Sequence, residues 1–195
     1  KYSPEEVVSH SFYEKHPKAF FEFYREKMMV LDAKPNAAHL KLAELENAGK
    51  IKAVITQNID GLHQAAGSKT VWELHGSIHR NYCQKCGKFF DVNYVVNAKG
   101  VPYCDECGGI IKPDVVLYEE GLDSQTINGA VRAISKADML IIGGTSLVVY
   151  PAAGMIDYFK GKYLAVLNRD ATSRDKQADL CITDPIGEVL GRIRV

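Results

Sequence analysis

Four of the five cysteines fall into two C-x-x-C pairs, Cys83/Cys86 and Cys104/Cys107, with residues 87–103 between them. Each pair directs two thiolates at one point, so two pairs complete a tetrahedral shell for Zn²⁺ with Zn–S distances of about 2.3 Å. Because four thiolates leave no open coordination position, we expect a structural metal rather than a catalytic one. Two disulfides, a redox dithiol and an iron–sulfur cluster are alternatives that this spacing favours less.

A nucleic-acid-binding zinc ribbon is the main functional rival for the cysteine pairs. Residues 79–113 hold five Lys or Arg residues and three Asp or Glu residues, which is not a basic patch. Over the whole chain Lys+Arg and Asp+Glu are both 24, so the formal net charge is zero. The sequence therefore predicts no direct contact with nucleic acid.

Polar clusters follow three apolar runs that are typical of buried strands. Ligands bind outside the carboxyl ends of the strands in open α/β sheets, and amides, hydroxyls, carboxylates and backbone N–H groups suit ribose, carboxamide and phosphate. Each cluster alone is also compatible with a satisfied polar turn, but together they favour a nucleotide cleft. The clusters are Gln57, Asn58 and Asp60 after residues 52–56, Gly144, Thr145 and Ser146 after residues 138–143, and Asn168, Arg169 and Asp170 after residues 163–167.

A further candidate is His75, which follows the apolar run 70–74 and precedes Gly76. An imidazole exposed in a cleft can act as a general base near neutral pH. A lone histidine is more often structural, so this assignment depends on its context.

The elements that must position these groups alternate between helices and apolar strands. Residues 3–34 are mostly helical in pattern, Asn36 begins a clear helix, and Asp123 or Ser124 caps another. Residues 114–117 read as a further strand and residues 151–160 as a helix. This order predicts an α/β fold with a mainly parallel sheet covered on both faces.

No apolar run reaches the roughly 20 residues that a membrane span requires, and no signal-like segment opens the chain. Paired C-x-x-C thiols also fit a reducing compartment. We therefore expect no membrane partner and a cytoplasmic location.

Taken in order along the chain, the motifs resemble those of the bacterial-type sirtuins, the NAD-dependent protein lysine deacylases. The resemblance runs over nearly the whole chain, and the combination is highly specific although each motif alone is not. It rests on the paired C-x-x-C spacing and on TQNIDGLH (56–63), ELHG (73–76), KPDVVLYEE (112–120), GTSLVVYPAA (144–153) and LNRDAT (167–172).

The resemblance implies a Rossmann-like domain and a smaller domain made of a zinc ribbon and a helical part. Residues 51–78 and 114–195 would form the Rossmann-like NAD-binding domain, and residues 79–113 the inserted zinc-ribbon module. Residues 1–50 would supply the helical part of the small domain and one helix of the large domain. The family's opening strand, its GAG-containing phosphate loop and its Asp-Phe-Arg segment would lie before Lys1.

The resemblance also implies the chemistry. NAD is consumed as a co-substrate: the acyl oxygen of an acyl-lysine attacks the ribose carbon that bears nicotinamide, and nicotinamide leaves. His75 would act as general base on a ribose hydroxyl, the 2′-oxygen would attack the imidate carbon, and water would release lysine and O-acyl-ADP-ribose. The alternatives are a protein ADP-ribosyltransferase and a catalytically inactive zinc-ribbon binding module.

Contacts to the two substrates carry over residue by residue from the family's motifs. NAD would be held by Gln57, Asn58, Ile59, Asp60, Gly144, Thr145, Ser146, Asn168, Arg169, Asp170 and Ile186. The acyl-lysine peptide would lie as an added strand between the backbones of Val115, Val116, Leu117 and Tyr118 and those of Leu147, Val148 and Val149. Glu119 stands where the family usually has glycine, and an added carboxylate beside the peptide would favour basic substrates.

Overall fold

The computed structural model describes residues 2–194, which fall into two units. The first unit contains the residues up to Ala33 together with Asn58–Gly61 and His75–Leu122. The second unit contains Lys34–Gln57, Leu62–Leu74 and the residues from Asp123 onward. Each unit therefore contains separate segments of the chain.

Helices occupy the predicted N-terminal region and the segments between strands. In chain order they are α1 (Pro4–Val7), α2 (His10–Lys15), α3 (Pro17–Phe23) with a π-helical turn (Tyr24–Met28), α4 (Ala37–Asn47), α5 (Leu62–Ala65), α6 (Val92–Asn97), α7 (Ser124–Lys136) and α8 (Ile186–Gly191). Short 3-10 helices cover Ala152–Tyr158 and Asp175–Gln177. The start of α4 is fixed by Asn36, whose Oδ1 accepts hydrogen bonds from the N–H groups of Ala38 and His39.

Strands pair differently in the two units. They are β1 (Val54–Thr56), β2 (Val71–Glu73), β3 (Gly76–Cys83), β4 (Phe89–Phe90), β5 (Ile111–Val115), β6 (Met139–Gly143), β7 (Tyr163–Leu167) and β8 (Leu180–Ile182). In the first unit β4, β3 and β5 form an antiparallel sheet. In the second unit β1 pairs with β2, and β6, β7 and β8 form a second sheet, all in parallel.

The core of the first unit joins the N-terminal helices to the cysteine-bearing sheet. Phe20, Phe21 and Tyr24 are at most 1% exposed, and the ring of Phe20 packs edge-on against Phe21 and stacked on Tyr24. Ile78 and Ile111, from β3 and β5, are buried in the same cluster. This shared core holds the antiparallel sheet in one unit with the helices.

The strand prediction for residues 114–117 is wrong in its bounds, and it named no partner strand. The strand there is β5, which ends at Val115 and runs antiparallel to β3 in the first unit. An apolar run indicates a buried strand but not which strand it pairs with. The predicted ribbon, residues 79–113, lies within the longer stretch His75–Leu122 of the first unit. The stretch is longer because β3 already begins at Gly76, which pairs with Val115 of β5.

β6 is the most apolar strand in sequence, yet much of it is not buried. Met139 is 47% exposed, and only Ile142 in this strand is buried. In the described part of the chain the strand that pairs with β6 is β7. Cys181 on β8 is exposed, although free cysteine is among the residue types most often buried.

None of the helices within residues 2–194 has the length and apolarity that crossing a bilayer takes.

Candidate active site and metal centre

The four paired cysteines lie together in the first unit. All their Sγ atoms are within 4.8 Å of one another, with 3.7 Å between Cys86 and Cys104 and 3.3 Å between Cys83 and Cys107. A tetrahedral zinc site with Zn–S distances of about 2.3 Å requires S–S separations of about 3.8 Å, whereas a disulfide requires about 2.05 Å. The donor set therefore fits four-thiolate zinc.

Local backbone geometry holds these thiols in place. Gly87 and Gly108, which follow the second cysteine of each pair, have φ of 75° and 68°, as the tight turns require. The N–H groups of Lys85 and Cys86 both donate to the Sγ of Cys83. Burial raises the pKa of the Cys83 thiol, but these N–H groups together with hydrogen bonds from the Cys107 and Cys86 thiols outweigh it and lower that pKa to about 6. A lowered thiol pKa favours the thiolate that a metal binds.

An ion-pair network joins the two cysteine knuckles, which are the C-x-x-C turns Cys83–Cys86 and Cys104–Cys107. The Nζ of Lys88, two residues after Cys86, lies 2.8 Å from both Asp105 Oδ1 and Glu106 Oε1 in the second knuckle. The two acidic groups raise the pKa of Lys88 above its usual value. Because these groups are exposed, the network contributes modestly beside metal binding.

Two of the polar clusters lie side by side in the second unit. Gly143 at the end of β6 pairs with Leu167 at the end of β7, and Gly144 N–H donates to the Leu167 carbonyl at 3.1 Å. Because the two strands are parallel, the clusters that follow them lie together at the carboxyl ends of the strands. Gly144 adopts φ of 63°, a conformation that suits glycine.

In the cluster after β7, Asn168 makes hydrogen bonds both within the cluster and to β8. The Asn168 Nδ2 donates to the Asp170 carbonyl at 2.8 Å, and Asn168 N–H donates to the Ile182 carbonyl at 3.0 Å. Arg169 and Asp170 are exposed. Ile186, at the start of α8, lies over Gly143 so closely that a Cβ there would overlap its Cδ1. Ile186 therefore lies at the carboxyl end of β6, beside Gly143 and Gly144.

Gln57 joins this group from β1. Its Nε2 donates to Thr145 Oγ1 at 3.3 Å, and the same oxygen accepts a hydrogen bond from Leu147 N–H at 3.2 Å. Ser146 is exposed. Within the second unit, the structure therefore brings together Gln57 and the two clusters that follow β6 and β7.

The remaining residues of the first cluster belong to the first unit. Asn58 is exposed, whereas Ile59 packs on the buried core, and its carbonyl accepts a hydrogen bond from Ile78 N–H at 3.0 Å. The carbonyl of Asp60 is 3.0 Å from His79 Nε2. Two consecutive peptide groups, Ile59–Asp60 and Asp60–Gly61, are therefore bonded to β3 through their carbonyl oxygens.

His75 is half-buried in the turn that leads into β3. Its carbonyl accepts a hydrogen bond from Val116 N–H at 3.0 Å. The next residue, Gly76, has φ of 76°, and a Cβ at this position would overlap the Asp114 carbonyl oxygen. Glycine is therefore required directly after the candidate base, because the backbone of β5 passes against it.

The segments expected to hold a peptide differ in how much of their backbone is open. The N–H groups of Val116, Leu117 and Tyr118 already donate to His75, to the Glu120 carboxylate and to Val8, respectively. Leu147 is buried with φ of 56°, Val148 is 71% exposed and Val149 is half-buried. A peptide strand beside residues 116–118 would have to pair with carbonyl groups or displace one of these bonds.

Comparison with known proteins gives the family directly. The model of the Sir2 family matches residues 1–151. The chain belongs to the Sir2 family. It is 64% identical over 190 residues to the NAD-dependent protein deacetylase of Clostridium acetobutylicum, covering 97% of this chain and 78% of that protein. It is 60% identical over 193 residues to the enzyme of the same description from Clostridium perfringens, covering 98% and 79%.

Solved structures of the Sir2 family share the fold. A crystal structure of Sir2 in complex with the inhibitor EX-527, 2′-O-acetyl-ADP-ribose and deacetylated p53 peptide matches with a TM-score of 0.91 and 41% identity. That match covers 96% of this chain and 83% of the other. A crystal structure of a Sir2 homologue–NAD complex matches with a TM-score of 0.91 and 37% identity, covering 98% and 76%. The Rossmann-like fold with a zinc-ribbon cysteine cluster is thereby confirmed.

Two residues of this Sir2-family protein have contacts that sequence reasoning missed. Nothing in the sequence around His79 marks it as a candidate, yet its ring bonds to the Asp60 carbonyl. Glu119 was placed beside the peptide, yet its carboxylate accepts hydrogen bonds from the N–H and Oγ of Ser11. No local sequence pattern predicts either contact, because the partner residues are distant in sequence.

Proposed function

We propose that this protein removes acetyl groups from lysine side chains of proteins, consuming NAD and releasing nicotinamide and O-acetyl-ADP-ribose. The observation that carries this function is the 60–64% identity, over 97–98% of the chain, to NAD-dependent protein deacetylases. Structural neighbours contain NAD, acetylated peptide or 2′-O-acetyl-ADP-ribose. An NAD-consuming enzyme acting on acyl-lysine protein is the function that these similarities support.

In this proposal His75 is the general base. It accepts a proton from a ribose hydroxyl of NAD, so that the 2′-oxygen attacks the imidate carbon formed from the acetyl group. The requirement for glycine at position 76 supports the assignment, since it fixes the turn that places His75 directly before β3. The residue is half-buried, as suits a group that must meet substrate.

The polar groups at the strand ends hold NAD. Gly144, Thr145 and Ser146 bind the adenosine side, and Asn168, Arg169, Asp170 and Ile186 lie near the adenine ribose and adenine. Gln57, Asn58, Ile59 and Asp60 contact nicotinamide and its ribose. The support is the parallel register of β6 and β7, which puts the first two groups at one edge. Holding the carboxamide orients nicotinamide for departure.

The zinc site is structural in this proposal. Zinc held by Cys83, Cys86, Cys104 and Cys107 supplies no reacting group, but its binding stabilises the fold of residues 79–113, which we retain as the inserted ribbon module. The other two domain assignments made from the sequence are part of the same proposal. Paired metal-binding thiols fit a reducing compartment, and we therefore propose a cytoplasmic location.

One incubation separates this function from its rivals. Purified protein is mixed with an acetyl-lysine peptide and NAD labelled in the adenylate part, and all products are separated by mass and by label. Nicotinamide, free-lysine peptide and O-acetyl-ADP-ribose in equal amounts support deacetylation. Label attached to protein would instead show ADP-ribosyl transfer, and unchanged NAD and peptide would show an inert binding module.

A further inference from the structure

The segment Asn58–Gly61, here called the NIDG loop, is fixed to β3 by two different kinds of contact. One is a backbone hydrogen bond from Ile78 N–H to the Ile59 carbonyl, at 3.0 Å. The other comes from a side chain: His79 Nε2 lies 3.0 Å from the Asp60 carbonyl oxygen. A carbonyl oxygen is only an acceptor, so Nε2 carries the proton and donates it.

The backbone of β3 is irregular where His79 lies. The pairing with β5 shifts register between Ser77 and Asn81. The Oγ of Ser77, which is 2% exposed, accepts a hydrogen bond from His79 N–H at 3.2 Å. Such irregularities re-aim a side chain relative to its neighbours on the strand. Here the side chain involved contacts the NIDG loop.

Gly61 and the His79 ring fit each other closely. Gly61 has φ of 70°, and a Cβ added there would lie 2.8 Å from His79 Cδ2 and 3.0 Å from His79 Nε2. The imidazole therefore lies against the backbone of the loop with no room for a side chain between them. The ring supports the loop through steric contact as well as through the hydrogen bond.

We propose that His79 is a positioning residue that sets the conformation of the NIDG loop for binding NAD. The proposal rests on the proposed function, in which Asn58, Ile59 and Asp60 contact nicotinamide and its ribose. His79 itself touches neither substrate: it holds the Asp60–Gly61 peptide, which fixes where the Asn58 and Asp60 side chains point. Losing it raises the free-energy cost of ordering the loop around NAD and leaves peptide binding unchanged.

The test compares two substitutions of one residue. His79→Leu removes the donor but keeps apolar bulk, whereas His79→Gln keeps an N–H donor of similar reach. His16→Leu is the matched control, because His16 is also exposed in the first unit and lies outside the loop. We expect His79→Leu to raise the KM for NAD about fivefold, which is the factor that one ordinary hydrogen bond is worth. His79→Gln and His16→Leu stay within about twofold of the original protein.

The KM for acetyl-lysine peptide and the melting temperature distinguish positioning from general destabilisation. Both should change little in His79→Leu, while inhibition by added nicotinamide weakens along with NAD binding. An unchanged KM for NAD in His79→Leu would overturn the proposal. So would equal losses in His79→Leu and His79→Gln, because the donor would then not matter.

A second measurement does not depend on activity. Hydrogen exchange at the amides of residues 58–61, in protein without substrates, should be faster in His79→Leu than in His79→Gln or His16→Leu. Equal exchange in all three would refute the support of the loop even if the protein proved to have another function. If the original protein does not turn over acetyl-lysine peptide, the proposed function fails, while this exchange result still decides the role of His79.

Discussion

Glu119 has a left-handed backbone conformation, with φ of 75°, although it bears a side chain. A residue with a Cβ is less stable than glycine in this region by about 1 kcal/mol. Its carboxylate offsets that cost by accepting hydrogen bonds from Ser11 N–H at 2.8 Å and Ser11 Oγ at 3.1 Å. Because Ser11 is in the first turn of α2, the contact caps a helix N-terminus and is worth about 1 kcal/mol.

The backbone strain and the helix-capping contact of Glu119 predict different stabilities for its glycine and alanine variants. Glu119→Gly loses the cap but gains the glycine backbone, so the terms cancel to within about 0.5 kcal/mol. Glu119→Ala loses the cap and keeps the strain, so it should be about 1 kcal/mol less stable than the glycine variant. For a chain of this length, that difference corresponds to a melting temperature lower by about 2–4 °C.

Thermal unfolding followed by circular dichroism measures the difference. The matched control is Glu22, an exposed residue within helix α3, where alanine should be the more stable variant by about 1 kcal/mol. The order of alanine and glycine is therefore expected to reverse between the two positions. Equal melting temperatures for Glu119→Ala and Glu119→Gly would refute the claim that this backbone is strained. Peptide kinetics with Glu119→Gly test the separate prediction of a preference for basic flanking residues, which an unchanged preference would contradict.

Two further predictions concern the metal and the pH. Removal of zinc by a chelator, or Cys83→Ser, should abolish tight metal binding and unfold the β4-β3-β5 sheet, because structural zinc binding is worth on the order of 10 kcal/mol. Zinc content and circular dichroism check this. Retention of both metal and fold by Cys83→Ser would contradict it. The Glu120 carboxylate, 2.8 Å from His10 Nδ1, raises the pKa of His10. The ion pair therefore stabilises the fold fully below about pH 6.5 and less as pH rises through the raised pKa. Urea unfolding from pH 6 to 8 should show a loss that His10→Gln lacks, and parallel curves for the two proteins would exclude this linkage.

Local signals in the sequence predicted the parts of the structure that local physics decides. The cysteine spacing predicted the sulfur cluster, because a C-x-x-C turn fixes its two thiols within one short segment. Asp123 predicted the start of α7, since its side chain accepts a hydrogen bond from Gln125 N–H in the first turn. The strand at residues 163–167 was predicted with its observed bounds, because it is short, apolar and buried after its first residue.

Other features depend on partners that are distant in sequence. The run at residues 114–117 is apolar, but only the tertiary structure decides that β5 pairs with β3 and ends at Val115. β6 is apolar enough to be a strand, but only the tertiary structure decides that it pairs in parallel with β7. The contacts of His79 with Asp60 and of Glu119 with Ser11 join residues that are distant in sequence, and no periodicity predicts them.

In the proposed function this protein deacetylates lysine with NAD and uses His75 as the general base. The most direct measurement is the rate of nicotinamide and free-lysine formation from acetyl-lysine peptide, compared between the original protein and His75→Ala. Loss of a general base should lower the rate by roughly 10²–10⁴-fold while zinc content and circular dichroism stay unchanged. An unaltered rate in a folded His75→Ala protein, or nicotinamide release without deacetylated peptide, would contradict the account.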